Sequence, residues 1–129
     1  MSKMRTYQKA WSQALKGDFS LVDQIYHQEY RSFDLRTGIY TNVDDDKVIV
    51  TTENEEIFTS YPDVLYENDE FLCIIAYQKV SDPETRYRSF ITAINYKEGQ
   101  ILSQKTTVQE LDFDPVSYTH LTLPTIALV

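Results

Sequence analysis

The apolar positions of this chain change their spacing once. In residues 2–15, Tyr7, Ala10, Trp11, Ala14 and Leu15 recur at intervals of three and four, which places them on one face of an amphipathic helix. Gly17 supplies its stop. Asp18 is a natural N-cap for a second, shorter helix with Leu21, Val22, Ile25 and Tyr26 on its apolar face, so the spacing predicts an N-terminal helical hairpin. From Glu29 onward β-branched and aromatic residues take over and no helical period remains. Strands are predicted near 29–34, 46–52, 63–68, 70–80, 85–97 and 100–111. Turn signals join them at Arg36-Thr37-Gly38, Asn68-Asp69, Ser81-Asp82-Pro83 and Lys97-Glu98-Gly99. The last three strands form a long antiparallel meander, and the expected class is α+β, a helical hairpin on a curved, mainly antiparallel sheet.

Phe71, Cys73, Ile75 and Tyr77 alternate with Leu72, Ile74 and Ala76, so this strand is apolar on both faces. One face can pack on the helices; the other needs a second cover, and a homodimer is expected to supply it.

Composition narrows the functional classes. A formal net charge of -8 opposes binding to phosphate backbones, so nucleic acid is not an expected partner. The apolar runs are too short for a membrane span, and the N-terminus has no signal-peptide core, which together predict a cytoplasmic protein and no membrane partner. Cys73 is the only cysteine and reads as a small buried hydrophobe. Three glycines, Gly17, Gly38 and Gly99, leave no phosphate-binding loop and no dinucleotide fingerprint, so no nucleotide cofactor is expected. From 116 to 129 the chain reads VSYTHLTLPTIALV, without a charged residue, although 25% of the whole sequence is charged. That stretch resembles translated library-adapter DNA. The expected domain is therefore residues 1–115, with 116–129 a non-native tail, and His120 is assigned no function.

The order of helices and strands, with Trp11-Ser12-Gln13-Ala14-Leu15-Lys16-Gly17-Asp18, Tyr30-Arg31-Ser32-Phe33-Asp34 and Tyr61-Pro62-Asp63, resembles the nuclear transport factor 2-like superfamily and its SnoaL-like polyketide-cyclase group. The resemblance spans about residues 5–112. It implies a cone-shaped sheet closed by helices over an apolar pocket, in folds that serve isomerases, cyclases, dehydratases and hydrolases as well as pure binding domains. Two departures stand out. Phe33-Asp34-Leu35 replaces the His-Asp-Pro of many SnoaL-like chains, and Lys47-Val48-Ile49-Val50-Thr51-Thr52 reads as a strand where relatives have a third helix.

Candidate chemistry follows from this frame. Asp34, a strand carboxylate beside apolar walls, is the candidate general base; its alternative role is to accept backbone N–H groups in the turn to Gly38. Tyr7, Trp11, Phe33, Phe58, Tyr77 and Phe90 are expected to shape a ligand cavity. Arg88, two residues from Arg86 and on the same strand face, either holds a ligand carboxylate or pairs with the acidic surface. His27 is expected to cap the second helix. No metal site is expected: Asp44, Asp46 and Glu55 match positions 1, 3 and 12 of a calcium loop, but Val48 and Ile49 occupy positions 5 and 6, so a solvated loop is the plainer reading. Function is expected to be binding of a small apolar or carbonyl-bearing molecule, with cofactor-independent isomerisation or cyclisation by proton transfer. The alternative is a non-catalytic dimeric binding or scaffolding module of the same fold.

Overall fold

The computed structural model describes residues 2–52, 57–81 and 83–115. Helix α1 (Lys3–Leu15) forms where the apolar spacing predicts it, capped by Ser2, whose Oγ accepts the Arg5 N–H at 3.2 Å. It ends in a Schellman turn. Gly17 sits at φ +90°, and the N–H groups of Gly17 and Asp18 donate to the Ala14 and Gln13 carbonyls at 2.9 and 3.0 Å. Ala10 and Ala14 are fully buried, whereas Leu15, which the spacing also turned inward, is exposed at the helix end. Asp18 lies one residue before the cap of helix α2 (Ser20–Ile25), where its carboxylate accepts from both the N–H and the Oγ–H of Ser20.

Strand β1 (Tyr26–Asp34) follows α2 without a loop, so Tyr26 and His27 belong to the sheet rather than to a helix end. His27 caps no helix; its Nδ1 accepts the Glu29 N–H at 3.0 Å. After β2 (Ile39–Thr41) comes helix α3 (Val43–Thr52), and then β3 (Ile57–Thr59), β4 (Asp63–Glu67), β5 (Phe71–Val80), β6 (Arg86–Lys97) and β7 (Gln100–Leu111). The sheet runs β2-β1-β7-β6-β5-β3, with β4 pairing along the other half of β5. β5, β6 and β7 form the expected antiparallel meander, and β1 joins β7 in parallel. The whole is an α+β fold with a curved, open, mixed sheet.

The predicted strand over 46–52 is instead part of helix α3, and Asp44 and Asp45 are in its first turn, not in a solvated loop. Asn42 Oδ1 accepts the Asp45 N–H at 2.9 Å while Asp45 Oδ2 accepts the Asn42 N–H at 3.0 Å, a reciprocal capping box. Three aspartates in the first turn favour the positive end of the helix dipole. Local capping thus outweighs the β-branched run Val48-Ile49-Val50-Thr51-Thr52. Thr51 and Thr52 donate back to the carbonyls of Lys47 and Val48, both at 2.7 Å. The third helix expected of relatives is therefore present. Glu55, which the calcium count invoked, and the turn residue Asp82 lie outside the described residues, as does the tail 116–129.

Strand register sorts the side chains into two faces. Leu72, Ile74, Ile94 and Ile101 point to the helices and form the core with Ala10, Ala14, Val22, Tyr26 and Tyr30. Phe71, Cys73, Ile75 and Tyr77 point the other way.

Candidate functional site: a carboxylate among hydroxyls under the third helix

The site is built where β1 and β2 meet α3. Ser32 pairs with Thr41 in the β1–β2 ladder and with Gln104 in the β1–β7 ladder, so these three side chains share the helix-side face with Tyr30 and Asp34. Asp46 enters from α3. Its Oδ2 accepts the Tyr30 hydroxyl at 2.8 Å, and its Oδ1 accepts Thr41 Oγ1 at 2.6 Å and, more weakly, Ser32 Oγ at 3.5 Å. Ser32 and Thr41 are also hydrogen-bonded to each other. Burial pushes the Asp46 carboxyl above the ordinary carboxylate range, and hydrogen bonds from Thr41, Tyr30 and Ser32 pull it back part of the way.

Beside this carboxylate lies a tyrosine cluster. Tyr26 and Tyr30 meet edge to face with ring centroids 4.5 Å apart, and Trp11 meets Tyr26 in the same manner at 5.9 Å. Trp11 Nε1 donates to Tyr26 Oη at 2.9 Å. The proton of Tyr26 itself is donated to none of the described hydrogen-bond partners. Burial, followed by the nearby phenols, raises the Tyr26 pKa well above its usual value. Burial and the Asp46 charge do the same to Tyr7 and Tyr30, and burial pushes Tyr96 up to about 12. All four phenols therefore keep their protons through the neutral range. Gln104, facing Tyr7, has its Oε1 buried with no donor among the described residues.

A cleft of about 630 Å³ opens beside the cluster, lined by Tyr26, Tyr30, Asp23, Asp44, Glu98 and Gln100 among others. Lys47 stands at its rim, 2.6 Å from Asp23 and 3.7 Å from Asp44, with its ammonium over the Phe19 ring; it ties α3 to α2. The space between helices and sheet is filled by aliphatic and aromatic side chains together, and the cleft is lined mainly by polar residues.

The residues singled out from sequence do not converge. Tyr7 and Trp11 pack against the core on the helix side, as their spacing predicts. Phe90 and Arg88 share the helix-side face but lie toward the far end of the meander, where Arg88 Nε donates to Gln78 Oε1 at 2.8 Å; its nearest partner is an amide of the same face. Phe33 pairs with Lys105 and stacks on Tyr40 at 4.6 Å on the opposite face. Phe58 and Tyr77 also leave the helix side and meet at a separate depression of about 160 Å³ that includes Tyr87 and Pro115. A one-residue change of parity along a strand is enough to move a side chain from one face to the other, so Phe33, Phe58 and Tyr77 cannot share a cavity with Tyr7 and Trp11. Asp34 ends β1, and its Oδ1 accepts the N–H groups of Arg36 at 2.8 Å and Thr37 at 3.4 Å, the turn role weighed against catalysis. Asp46 and Tyr30 were missed as site residues. The signal was the Asn42-x-x-Asp45 cap, which fixes a helix start and with it the inward face of Asp46.

Comparison of the sequence with protein families and with curated proteins finds no match. Solved structures do match. A candidate ketosteroid isomerase from Kribbella flavida aligns over 92% of this chain and 85% of its own at TM-score 0.66 and 9% identity. A nuclear transport factor 2-like protein of unknown function from Cytophaga hutchinsonii aligns over 84% and 100% at 0.63 and 11%. The chain has the nuclear transport factor 2-like fold. A third structure with a ketosteroid isomerase-like fold, from Catenulispora acidiphila in complex with trimethylamine, aligns over 82% and 85% at 0.59 and 14%. In the nuclear transport factor 2-like frame, α1 to α3 close the curved sheet, and the Asp46 cluster sits beneath that closure. No helix among the described residues is long and apolar enough to cross a membrane.

Proposed function

We propose that this protein is a cytoplasmic small-molecule-binding domain that promotes proton transfer next to a carbonyl, as in isomerisation or cyclisation, without a cofactor. The observation that carries this reading is a pair of phenols on the cleft wall, Tyr26 and Tyr30, with the Asp46 carboxylate joined to that wall through the Tyr30 hydroxyl. Tyr26 holds a proton that it donates to no described partner, and the adjoining Tyr30 is bonded to the Asp46 carboxylate. A carbonyl oxygen accepting from Tyr26 is polarised, which acidifies its neighbouring C–H; Asp46, with a pKa raised by burial, is the base that receives the proton. Ser32 and Thr41 hold the carboxylate in place and stabilise its charged form. Asp34 takes the turn role. The likeness to a structure holding trimethylamine supports a site open to small molecules.

The test is deuterium uptake from D₂O at the α-carbon of ketones, lactones, steroids and acyl thioesters, followed by NMR with the full chain. Asp46→Asn is expected to slow exchange by roughly 10²-fold or more, and Tyr26→Phe to slow it without abolishing binding in a parallel thermal-shift assay. A ligand that stabilises the protein but exchanges no faster with it than in buffer defeats the catalytic part.

A second reading is favoured by a specific observation: both Asp46 oxygens already accept hydroxyl protons, and no helix among the described residues covers the far face of the sheet. In that reading the chain is a non-catalytic dimeric binding or scaffolding module, and Asp46→Asn leaves ligand or partner affinity largely intact.

A further inference from the structure

Three carboxylates line the cleft beside Tyr26 and Tyr30, each from a different element: Asp23 of α2, Asp44 of α3 and Glu98 of the β6–β7 turn. One cation, Lys47, stands against them at the rim, and its ammonium is already held. It lies 2.6 Å from Asp23, 3.7 Å from Asp44 and 5.1 Å from the centre of the Phe19 ring. None of the ion pairs among the described residues involves Glu98. The cleft therefore keeps an excess of negative charge. Glu98 sits at φ +54° beside Gly99 at φ +80°, a two-residue hairpin turn whose first position favours asparagine or glycine, so backbone preference does not account for a glutamate there. A metal ion does not fit this arrangement. Hard cations need several oxygens within about 2.0–2.6 Å, and no three acidic, histidine or cysteine side chains among the described residues are grouped to hold one. Carboxylates spread around about 630 Å³ suit instead a larger organic cation, in a cleft of the size that takes small molecules. The protein seats its own ammonium by the same chemistry, with two carboxylates and an aromatic ring around Lys47.

Tyr26 adds an independent observation on the same wall. It is 5% exposed, its hydroxyl accepts from Trp11, and its own proton goes to no described residue, so it is left to donate to a neutral oxygen. We infer that the cleft takes a carbonyl compound that also carries a positive charge, with the carbonyl oxygen accepting from Tyr26 and the cationic end among Asp23, Asp44 and Glu98. The inference rests on the reading of this cleft as the small-molecule site, and not on proton transfer to Asp46. Charge then separates ligands of one shape. A neutral isostere finds the same walls but nothing to offset the carboxylates, and an anion meets repulsion from them and from a chain of net charge -8. Glu98 and Asp44 thereby determine specificity without touching the carbonyl.

Titration calorimetry of the full chain at low ionic strength tests this with two ketones of one shape. The first is dimethyloxopiperidinium, a six-membered ring with a quaternary nitrogen opposite its carbonyl; the second is dimethylcyclohexanone, with carbon in place of that nitrogen. The cation is expected to bind about 10-fold more tightly, and salt at about 1 M, where charges are screened beyond about 3 Å, should remove most of the preference. Asp23 and Asp44 are 60% and 84% exposed, so each carboxylate contributes modestly. Asp44→Asn and Glu98→Asn should each lower the affinity for the cation about 3-fold, the second without lowering the melting temperature, because asparagine suits the turn. Lys47→Met removes the competing ammonium and should raise that affinity about 3-fold, with circular dichroism melting confirming the fold. Equal affinity for the two ketones overturns the charge preference and leaves the small-molecule reading standing. Binding of neither overturns the inference, and the small-molecule reading falls with it only where the neutral compounds above also fail to stabilise the protein. A preferred cation indifferent to Asp44→Asn, Glu98→Asn and Lys47→Met overturns the placement in this cleft. A preferred cation that responds to them but exchanges its α-hydrogens no faster than in buffer upholds the inference and defeats only the catalytic part of the reading.

Discussion

Helices α1 and α3 are held by different forces. α1 buries Ala10 and Ala14 completely and packs Tyr7 and Trp11 on the core, so its attachment is apolar area removed from water. No residue of α3 is fully buried; Val48 and Ile49 are exposed, and Val43 alone of its residues packs on the core. Its polar ties are the Asp46 hydrogen bonds and the Lys47–Asp23 pair, with a capping box holding the helix's own first turn. Hydrogen bonds contribute only about 0.5–1.5 kcal/mol net each and exposed ion pairs less. The lesson is that the helix carrying the candidate carboxylate is the one most easily released.

The comparison breaks most readily on the α1 side. Ala14→Leu forces extra methylenes into a filled space and is expected to cost about 1–3 kcal/mol in urea unfolding, whereas Val48→Ser on α3 should stay within about 0.5 kcal/mol. Equal losses would mean that α3 is buried too. Removal of the α3 cap is next: Asn42→Ala is expected to cost about 1 kcal/mol. Its signature is faster amide exchange over 43–52 with α1 unchanged. The finest test uses pH. The folded-state pKa of Asp46 is raised, so the native state holds this proton more tightly than the unfolded chain does. The group therefore favours the fold most below its unfolded pKa of 3.8, and that contribution is lost as pH rises through the folded value. Asp46→Asn should flatten this decline between the ordinary carboxylate range and neutrality, read as a smaller difference in melting temperature between acid and neutral buffers.

How far the sequence discloses the structure follows the same division. α1, α2 and the β5–β6–β7 meander rest on periodicities that many residues share, and they formed where read, with the ends of the two helices shifted at Leu15, Asp18 and Tyr26. α3 rests on one cap of two residues, Asn42 and Asp45, against a run of β-branched side chains, so residue-by-residue propensity pointed to a strand. β2 and β3 are three-residue strands that exist only because β1 and β5 offer them an edge, and nothing local announces them. For the site, Tyr7 and Trp11 were legible because a helix face is set by spacing alone. The meeting of Tyr30, Ser32, Thr41 and Asp46 depends on β1–β2 register and on the placement of α3, neither of which is written in any single segment. Asp34 showed its carboxylate plainly in the sequence, but only the turn to Gly38 shows how that carboxylate is used.

The parallel pairing of Tyr26 with Ile101 also sets a timetable. The two residues are 75 positions apart in sequence, so the loop between them is among the slowest contacts in the molecule to close. Tyr30, Ser32 and their neighbours on β1 cannot take their final places until β7 has been synthesised and docked. During translation the N-terminal helices therefore wait with an unfinished apolar face, while the self-contained β5–β6–β7 hairpins are free to form first and serve as the template on which β1 is laid.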